Sequence, residues 1–239
     1  EKGRSMAEVK ILYEDKDIIV VVKPAGMASQ EERSADMDMV SWLKNYFVRE
    51  KKVKGMPYIG VIHRLDKPVG GVMVYAKTQQ AAGKLSEQVR GNKMTKEYLA
   101  VLTGTLPKKE GRLEDMLLSN GKTNRTEVVD AKKAGAKKAV LEYRVKRTKF
   151  EEGQQYSLVN VHLITGRGNQ IRVQMAHAGE GRRGETRDKP VFAEKKGWED
   201  QALFAWHLEF DHPVTKKHLV FKVPAGDQLT AHFKAEECK

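Results

Sequence analysis

Segments with the residue patterns of β-strands, several of which alternate between apolar and polar residues, outnumber segments with helical periodicity along this chain. Residues 9–13 and 18–23 form the first pair of such segments, with only a four-residue turn between them. Residues 141–145 alternate in the same way, and near the C-terminus residues 204–210 alternate before a turn and a second apolar run at 218–223. Several strands therefore follow one another without an intervening helix. This order favours an α+β fold with a largely antiparallel or mixed sheet over a doubly wound fold.

Three segments have helical periodicity. Residues 39–50 carry four large apolar side chains on one side, and Thr78 can cap a second helix in which apolar residues recur four apart. Residues 170–178 follow a glycine-rich turn and form the third. The sequence contains no linker and no repeat, so we predict a single domain over residues 1–239, with residues 1–8 either a flexible start or left over from cloning.

The chain is strongly basic. Its formal net charge is +12 over 239 residues, and its basic residues cluster at 51–54, 132–138 and 182–189. A basic excess of this size indicates a polyanionic partner, because each neutralised phosphate releases counterions. A lysine-rich surface that is merely solvated is the alternative, and charge alone separates the two only slightly in favour of nucleic acid.

Other classes of protein fit the sequence poorly. No stretch approaches the roughly 20 consecutive apolar residues that span a bilayer, and the first ten residues lack the apolar core of a signal peptide. Cys238 is the single cysteine, so we expect no disulfide and a cytoplasmic location. His63, His162 and His177 are too scattered for a metal site, and the chain has no phosphate-binding loop of the Gly-x-x-x-x-Gly-Lys type. We therefore predict no metal and no membrane.

Three segments contain residues with catalytic potential. Residues 62–71 run from an apolar strand into His63, Arg64 and Asp66, then into a proline and two glycines. An aspartate before Lys-Pro is more often a turn residue that binds its own backbone than a catalytic group. Residues 96–101 form an ordinary strand, in which a tyrosine such as Tyr98 is more often a core or edge residue than a catalytic one.

The third segment, residues 165–173, has two glycines that bracket Arg167 just before a helix. Backbone amides at such a helix start can bind a phosphate or a carboxylate. An ordinary helix-start turn with exposed arginines is the alternative. This order of glycine, arginine and glutamine is hard to explain by packing alone, so the segment is moderately specific.

Taken together, the three segments resemble the RluA-type family of pseudouridine synthases. The family motifs read approximately His-Arg-Leu-Asp, Lys-x-Tyr-x-Ala and Thr-Gly-Arg-x-His-Gln-Ile-Arg-Val. The matching residues here are His63–Asp66; Lys96, Tyr98 and Ala100; and Thr165–Arg167 with Gln170–Val173. The likeness runs in order over nearly the whole chain. Each motif is weak by itself, whereas the ordered set is specific.

The resemblance implies a single catalytic domain of α+β fold, with an extended and mainly antiparallel sheet flanked by helices. It also implies a cofactor-free isomerisation of uridine to pseudouridine in ribosomal or transfer RNA, with no obligate protein partner. By motif position, the resemblance implies that Asp66 is the nucleophile, that Tyr98 lies against the target base and that Arg172 is the basic partner of the aspartate. It implies that Ile171 is an apolar wall near the base and that Arg64 fills the space left by the flipped nucleotide. Further substrate contacts are implied for His63, Arg167 and Gln170.

The chemistry of the reaction is consistent with these roles. A carboxylate can hold one fragment covalently while the glycosidic bond moves from nitrogen to carbon, and it can attack either the sugar or the base. The target uridine must leave the base stack, which costs a few kcal/mol. A catalytically silent RNA-binding or ribosome-assembly protein on the same fold is the alternative; retention of Asp66, Tyr98 and Arg172 together favours the enzyme.

The chain also departs from the family pattern. Lys67-Pro68-Val69 replaces the usual Thr and Ser after the aspartate, and Asn169 replaces a histidine. Residues 180–188 lack the usual Gly-Asp pair followed by an aromatic residue. These changes leave the three central residues intact and affect the expected choice of substrate. Loops such as Gly121–Lys138 are expected to contribute to target recognition.

Overall fold

A computed structural model of the chain describes residues 8–32, 35–121, 125–179, 191–192 and 202–238. The strands are β1 (Lys10–Glu14), β2 (Ile18–Lys23), β3 (Gly60–Val61), β4 (Gly70–Ala76), β5 (Thr95–Thr103), β6 (Glu110–Asn120), β7 (Arg125–Val129), β8 (Lys137–Glu151), β9 (Gln154–Leu163), β10 (Val191–Phe192), β11 (Leu203–Asp211) and β12 (His218–Lys222). The helices are α1 (Met39–Arg49), α2 (Gln79–Arg90), α3 (Gln170–Ala178) and α4 (Asp227–Thr230).

The chain divides into two compact units. The first consists of the residues up to Met94 together with Ala205–Val223, and the second consists of Thr95–Phe204 together with Pro224–Lys239. Each unit has its own set of antiparallel strand pairs and its own buried core.

Strand β2 is the centre of the first unit. It pairs antiparallel with β1 on one side and with β4 on the other, and residues 18–21 are each 0% exposed. A run of isoleucine and valine suits this position, because β-branched side chains pack well on a pleated surface that is covered on both faces. The register places Lys23 opposite Gly71. The chain that leaves β2 therefore lies beside the chain that enters β4.

Two helices of the first unit begin at side-chain caps. The Asp38 carboxylate accepts a hydrogen bond from the Ser41 amide at 3.0 Å, and the Thr78 hydroxyl accepts one from the Ala81 amide at 3.1 Å. Each cap satisfies an amide that would otherwise lack a partner at the helix start. The capping role predicted for Thr78 is confirmed.

The second unit is a sheet in the order β5-β9-β8-β6-β7, and β10 pairs with β5. Its strand pairs are antiparallel. The inner strands β5 and β9 carry much of the core, including Leu99, Val101, Leu158 and Val159, each 1% exposed or less. Charged residues on β6 and β8 form an exposed ladder of opposite charges, in which the Arg112 guanidinium lies 2.9 Å from the Glu142 carboxylate.

The architecture confirms the predicted α+β class with a mainly antiparallel sheet, and it corrects several details. Helix α1 ends at Arg49, one residue earlier than predicted. On this helix Leu43 and Phe47 occupy the core, so Trp42 and Tyr46 are only half-buried. The rings of Trp42 and Tyr46 stack on each other with their centroids 5.5 Å apart. The expected loop over residues 121–138 contains strand β7, which pairs with β6. The single-domain interpretation stays a prediction.

Some of the sequence predictions fall on residues outside the described part of the chain. These are the basic cluster at 182–189, the departure from the family pattern at 180–188 and all but the last residue of the flexible start at 1–8. None of the helices in the described part has the length and the apolar character needed to span a bilayer.

Candidate active site

Asp66 lies on a turn of the first unit between β3 and β4. Its backbone carbonyl accepts a hydrogen bond from the Val69 amide at 2.9 Å, which closes the turn over Lys67 and Pro68. Burial alternates before the turn: Leu65 is 5% exposed, whereas the side chains of Arg64 and Asp66 are both exposed. The buried Leu65 anchors this segment, so the arginine and the carboxylate are both presented to solvent.

His63 is bound within the first unit. Its Nε2 atom accepts a hydrogen bond from the Val74 amide at 3.1 Å, so the proton of a neutral ring is assigned to Nδ1. Strand β3 pairs with β4 only through Gly60 and Val61, and the imidazole adds a further bond to β4 beyond the end of that pairing. The substrate contact expected for His63 stays a prediction, and the ring has a structural bond in any case.

The second glycine after Asp66 is required by close packing. Gly71 has φ +138°, and a Cβ atom at this position would lie 2.3 Å from the carbonyl oxygen of Ala205 in β11. Both the backbone conformation and the space exclude a side chain. Gly71 therefore allows β4 to approach β11 shortly after the turn that carries Asp66.

Lys67 forms one of the departures from the family pattern. Its ammonium lies 2.8 Å from the Asp36 carboxylate, and the two side chains are 40% and 69% exposed. An exposed pair of this kind contributes about 0–1 kcal/mol. The pair links the turn after Asp66, where the family usually has Thr and Ser, to the segment that precedes α1.

Tyr98 lies in the second unit on β5, opposite Val161 of β9, and it is 7% exposed. Lys96 is on the same face of the strand, two residues earlier. Burial lowers the pKa of the Lys96 ammonium below its ordinary value. Its Nζ atom lies 3.3 Å from where a Cβ atom on Gly166 would be, so the structure brings the second and third motifs together at these two residues.

Gln170 organises the third motif. Its Oε1 atom accepts hydrogen bonds from the Arg167 amide and from the Thr165 hydroxyl, both at 2.9 Å. Its Nε2 atom donates to the Val140 carbonyl at 3.0 Å and to Gln174 Oε1 at 2.9 Å. The amide of a glutamine has two donors and one oxygen with two lone pairs, so these four bonds use its full capacity. Gln170, 2% exposed, therefore fixes the loop from within.

This network continues into residues to which the sequence assigned no role in the site. The Gln174 amide, 0% exposed, donates to the Asp115 carboxylate at 2.8 Å, and the other oxygen of Asp115 lies 2.9 Å from Nδ1 of His177. The chain of bonds attaches α3 to the sheet of the second unit through side chains that are 59 or more positions apart. Spacing along the sequence gives no signal for such contacts.

The start of α3 places two predicted residues on opposite sides. Ile171 is 5% exposed and packs inward, whereas Arg172 is exposed.

Asn169, which replaces the family's histidine, has φ +55° at the helix start, a left-handed conformation that asparagine tolerates better than most residues. The Arg167 amide, a possible phosphate donor by sequence, is bonded to Gln170, and the Arg167 side chain donates to the Lys138 carbonyl at 3.1 Å.

Within the described residues, one group of potential metal ligands is close enough to chelate an ion: Asp15, Asp17 and His212. Both nitrogens of His212 are already bonded. Nε2 lies 2.7 Å from Asp15, and Nδ1 accepts from the amides of Val214 and Thr215. Metal binding would break these bonds, so the group does not fit a metal site.

Comparison with known proteins identifies the fold and its chemistry. The sequence profile described as RNA pseudouridylate synthase matches residues 17–177, which include all three motifs. The chain belongs to the RNA pseudouridylate synthase family. It is thus an isomerase that acts on RNA, and the match ends before the divergent residues 180–188.

Two curated relatives of the synthase family illustrate the likeness. A protein of Xanthomonas campestris named ribosomal large subunit pseudouridine synthase D is 33% identical over 92% of this chain and 67% of the relative. A Bacillus subtilis protein named uncharacterized RNA pseudouridine synthase YlyB is 30% identical over 93% of this chain and 71% of the relative.

Solved structures of the synthase family share the fold. Human RNA pseudouridylate synthase domain containing 4 has a TM-score of 0.70 at 20% identity, covering 93% of this chain and 90% of that one. Human RNA pseudouridylate synthase domain containing 1 has a TM-score of 0.68 at 20% identity, covering 94% of this chain and 86% of that one. The expectation of a pseudouridine synthase fold is confirmed.

Proposed function

We propose that this synthase isomerises uridine in ribosomal RNA and that Asp66 is its nucleophile. The name of the Xanthomonas relative supports ribosomal RNA as the substrate. One observation carries the choice of nucleophile: Asp66 is an exposed carboxylate whose backbone is tied into a closed turn by the 2.9 Å bond to Val69. A solvent-facing carboxylate on a rigid turn can reach a nucleotide without rearrangement of the chain.

The proposed reaction is an isomerisation, so the product has the same atomic composition as the uridine. Asp66 adds to the anomeric carbon with release of the uracil anion, or it adds to the base; both routes remain open. The glycosidic bond from N1 breaks, the base rotates, and a new bond forms from the anomeric carbon to C5. On the sugar route the carboxylate leaves the anomeric carbon as this bond forms, and on the base route it leaves the base in the last step. On both routes C5 loses its proton to solvent and N1 gains a proton. No cofactor is needed, since nothing is oxidised or reduced.

The second unit supplies three of the other proposed residues, and the first unit supplies Arg64. Tyr98 would face the target base and hold the detached uracil, with Ile171 as a further apolar wall. Arg172, an exposed guanidinium, would pair with the Asp66 carboxylate in the complex with RNA and keep it ionised. Arg64, exposed two positions before Asp66, would fill the space of the flipped nucleotide.

The basic loop, residues 51–58, is proposed to contact the RNA near the target. Lys52 and Lys54 are exposed, Met56 is 82% exposed and Tyr58 is 42% exposed. Lysines neutralise phosphates, and an exposed tyrosine ring can stack on a base. Tyr58 precedes Asp66 by eight positions, which limits the distance between their Cα atoms to about 29 Å. The loop and the nucleophile can therefore contact the same region of an RNA.

A catalytically silent RNA-binding protein is not favoured, because the relatives are named as synthases and the three central residues are retained. We propose RNA as the partner and no obligate protein subunit. We also propose a cytoplasmic location, which agrees with Cys238 being a buried thiol without a disulfide.

The substrate can be identified by release of tritium. RNA transcripts labelled at C5 of uridine lose the label to water only when the carbon–hydrogen bond at C5 breaks. Large-subunit ribosomal RNA and bulk transfer RNA would be incubated with the purified chain, and carbodiimide mapping would locate the product. Release of tritium from ribosomal RNA alone supports the proposal. Release from transfer RNA alone would mean that transfer RNA, and not ribosomal RNA, is the substrate. Release from neither RNA would contradict the proposed function.

A further inference from the structure

We propose that Ser29 is a positioning residue for the nucleophile: its buried hydroxyl holds the peptide that precedes Asp66. The inference rests on the proposed function, because it concerns the geometry of the carboxylate assigned there. Ser29 lies outside the three motifs and outside every residue to which a role has been given above.

The Ser29 hydroxyl binds both backbone groups of one residue. Its Oγ atom donates to the Leu65 carbonyl at 2.6 Å and accepts from the Leu65 amide at 3.0 Å. A serine hydroxyl has one donor and two acceptor sites, so it can satisfy both groups at once. Ser29 is 4% exposed and Leu65 is 5% exposed, so water has little access to these bonds.

Asp66 is thereby held on both sides of its Cα atom. The Leu65 carbonyl belongs to the peptide before Asp66, and it is bound by Ser29. The Asp66 carbonyl belongs to the peptide after it, and it is bound by the Val69 amide. With both peptide planes fixed, the backbone dihedrals of Asp66 are set, and only its two side-chain dihedrals remain to place the carboxylate.

The segment of residues 23–29 also binds the backbone of Lys67, the residue after Asp66. The Lys67 carbonyl accepts from the Gly26 amide at 2.8 Å and from the Lys23 ammonium at 3.2 Å. Lys23 is 0% exposed, and its Nζ atom also donates to the Met27 carbonyl at 2.5 Å. This follows from the strand register, which sets Lys23 opposite Gly71 and so brings residues 23–29 beside residues 65–67.

Ser29 is itself fixed by its surroundings. Its carbonyl accepts a hydrogen bond from the Tyr75 hydroxyl at 2.7 Å, and its Oγ atom lies 3.6 Å from the Met73 sulfur. Tyr75 and Met73 are 0% exposed and belong to β4. The hydroxyl that positions the nucleophile is therefore anchored to the core of the first unit.

Accurate placement matters for a nucleophile. A displacement of about 1 Å at a reacting group can lower the rate on the order of 100-fold. Replacement of Ser29 by alanine leaves the Leu65 amide and carbonyl buried without this partner, and the turn can then relax. We expect the single-turnover rate to fall by about 10-fold to 100-fold, while the affinity for RNA stays within about twofold.

A loss of stability alone would not distinguish this role, so a matched control is needed. Ser157 in the second unit is also buried, 0% exposed, and its hydroxyl donates to the Gly104 carbonyl at 2.8 Å. Ser157→Ala therefore removes the same kind of bond from a strand that carries no candidate site residue. Single-turnover rates, RNA affinity and melting temperature would be measured for Ser29→Ala, Ser157→Ala and the wild type, well below the melting temperature of each.

A fall in the single-turnover rate of Ser29→Ala but not of Ser157→Ala, at similar losses of melting temperature, supports the inference. Equal rates in both variants would overturn it. If Ser29→Ala does not fold, Ser29→Cys decides, because a thiol is a weak donor of similar shape: a lowered rate at unchanged affinity supports the role, and a wild-type rate refutes it. A wild-type enzyme without turnover on any RNA would instead contradict the proposed function.

Discussion

The Nε2 atom of His212 lies 2.7 Å from the carboxylate of Asp15, and this bond joins the turn after β11 to the turn between β1 and β2. His212 is 1% exposed, and its Nδ1 atom accepts from the amides of Val214 and Thr215. The proton therefore sits on Nε2, which donates to Asp15. The other oxygen of Asp15 accepts from the amides of Asp17 and Ile18.

These bonds predict a stability that depends on pH. Burial raises the pKa of Asp15, but hydrogen bonds from the Ile18 amide and the Tyr13 hydroxyl outweigh it, so the pKa lies below its ordinary value of 3.8. A group whose pKa is lowered on folding stabilises the fold above its unfolded pKa, and this contribution is lost as the pH falls through the folded pKa.

Asp15→Asn should therefore lower the free energy of unfolding by about 1–3 kcal/mol near neutral pH. The difference from the wild type should be smaller at about pH 3, below the ordinary pKa of 3.8, because the unfolded carboxylate there binds protons more readily than the folded one, whose pKa is lowered. Urea unfolding at both pH values measures it, with Asp36→Asn on a 69% exposed carboxylate as the control. A difference that is the same at both pH values would contradict the assignment.

Gly71 and Gly83 predict opposite effects of the same substitution. A Cβ atom on Gly71 would lie 2.3 Å from the Ala205 carbonyl, whereas one on Gly83, within α2, meets no atom within 4 Å. Gly71→Ala should destabilise the first unit by about 3 kcal/mol or more, because backbone must move. Gly83→Ala should stabilise it by about 0.5–1 kcal/mol, the difference in helix propensity. Thermal unfolding of both variants tests the close approach of β4 and β11.

The basic loop predicts how RNA affinity depends on salt. Each phosphate contact contributes about 0.7–0.9 to the slope of log affinity against log salt concentration. Replacement of both Lys52 and Lys54 by glutamine should therefore reduce the slope by about 1.4–1.8. The control removes the same charge from Lys108 and Lys109, which are also exposed. Equal reductions in both double variants would mean that the loop is not a specific contact.

The sequence predicted the elements whose burial is regular. Strand β2 and helix α3 have the predicted limits, because a run of β-branched residues and a helical apolar face are local signals. Strand β6 was not predicted. It carries Glu110, Arg112 and Glu114 on an exposed face, where cross-strand pairs with β8 replace an apolar pattern.

The site was predictable only in part, for the same reason. The three motifs identified residues by their order along the chain, which a family resemblance can read. The groups that hold those residues depend on long-range contacts: Ser29 binds Leu65 across 36 positions, and Gln174 binds Asp115 across 59. Neither serine nor glutamine is unusual at such positions, so only the folded chain reveals their partners.

Tyr98 is predicted to have two separable roles. A ring against the uracil contributes about 1–3 kcal/mol of stacking per base, and a phenol can relay the proton that the isomerisation must remove. Tyr98→Phe should bind RNA nearly as well as the wild type and form little product. Tyr98→Leu should lose both, and it also places a smaller side chain at a position that is 7% exposed.

Single-turnover product formation would be compared with equilibrium binding for both Tyr98 variants. Near-normal turnover in Tyr98→Phe would leave only the stacking role. Full activity in Tyr98→Leu would return Tyr98 to a purely structural place in β5, where its neighbour across the strands is Val161.

The rate of pseudouridine formation by Asp66→Asn tests the central claim most directly. The amide keeps the shape of the exposed side chain, and the turn closed by the Asp66 carbonyl and the Val69 amide is unaffected. The melting temperature and the RNA affinity should therefore match the wild type, with Asp66→Ala as a second variant that cannot revert to a carboxylate by deamidation. We predict that tritium release from labelled ribosomal RNA falls by more than about 1,000-fold in both variants. Release at the wild-type rate by either folded variant would contradict the assignment of Asp66 as the nucleophile.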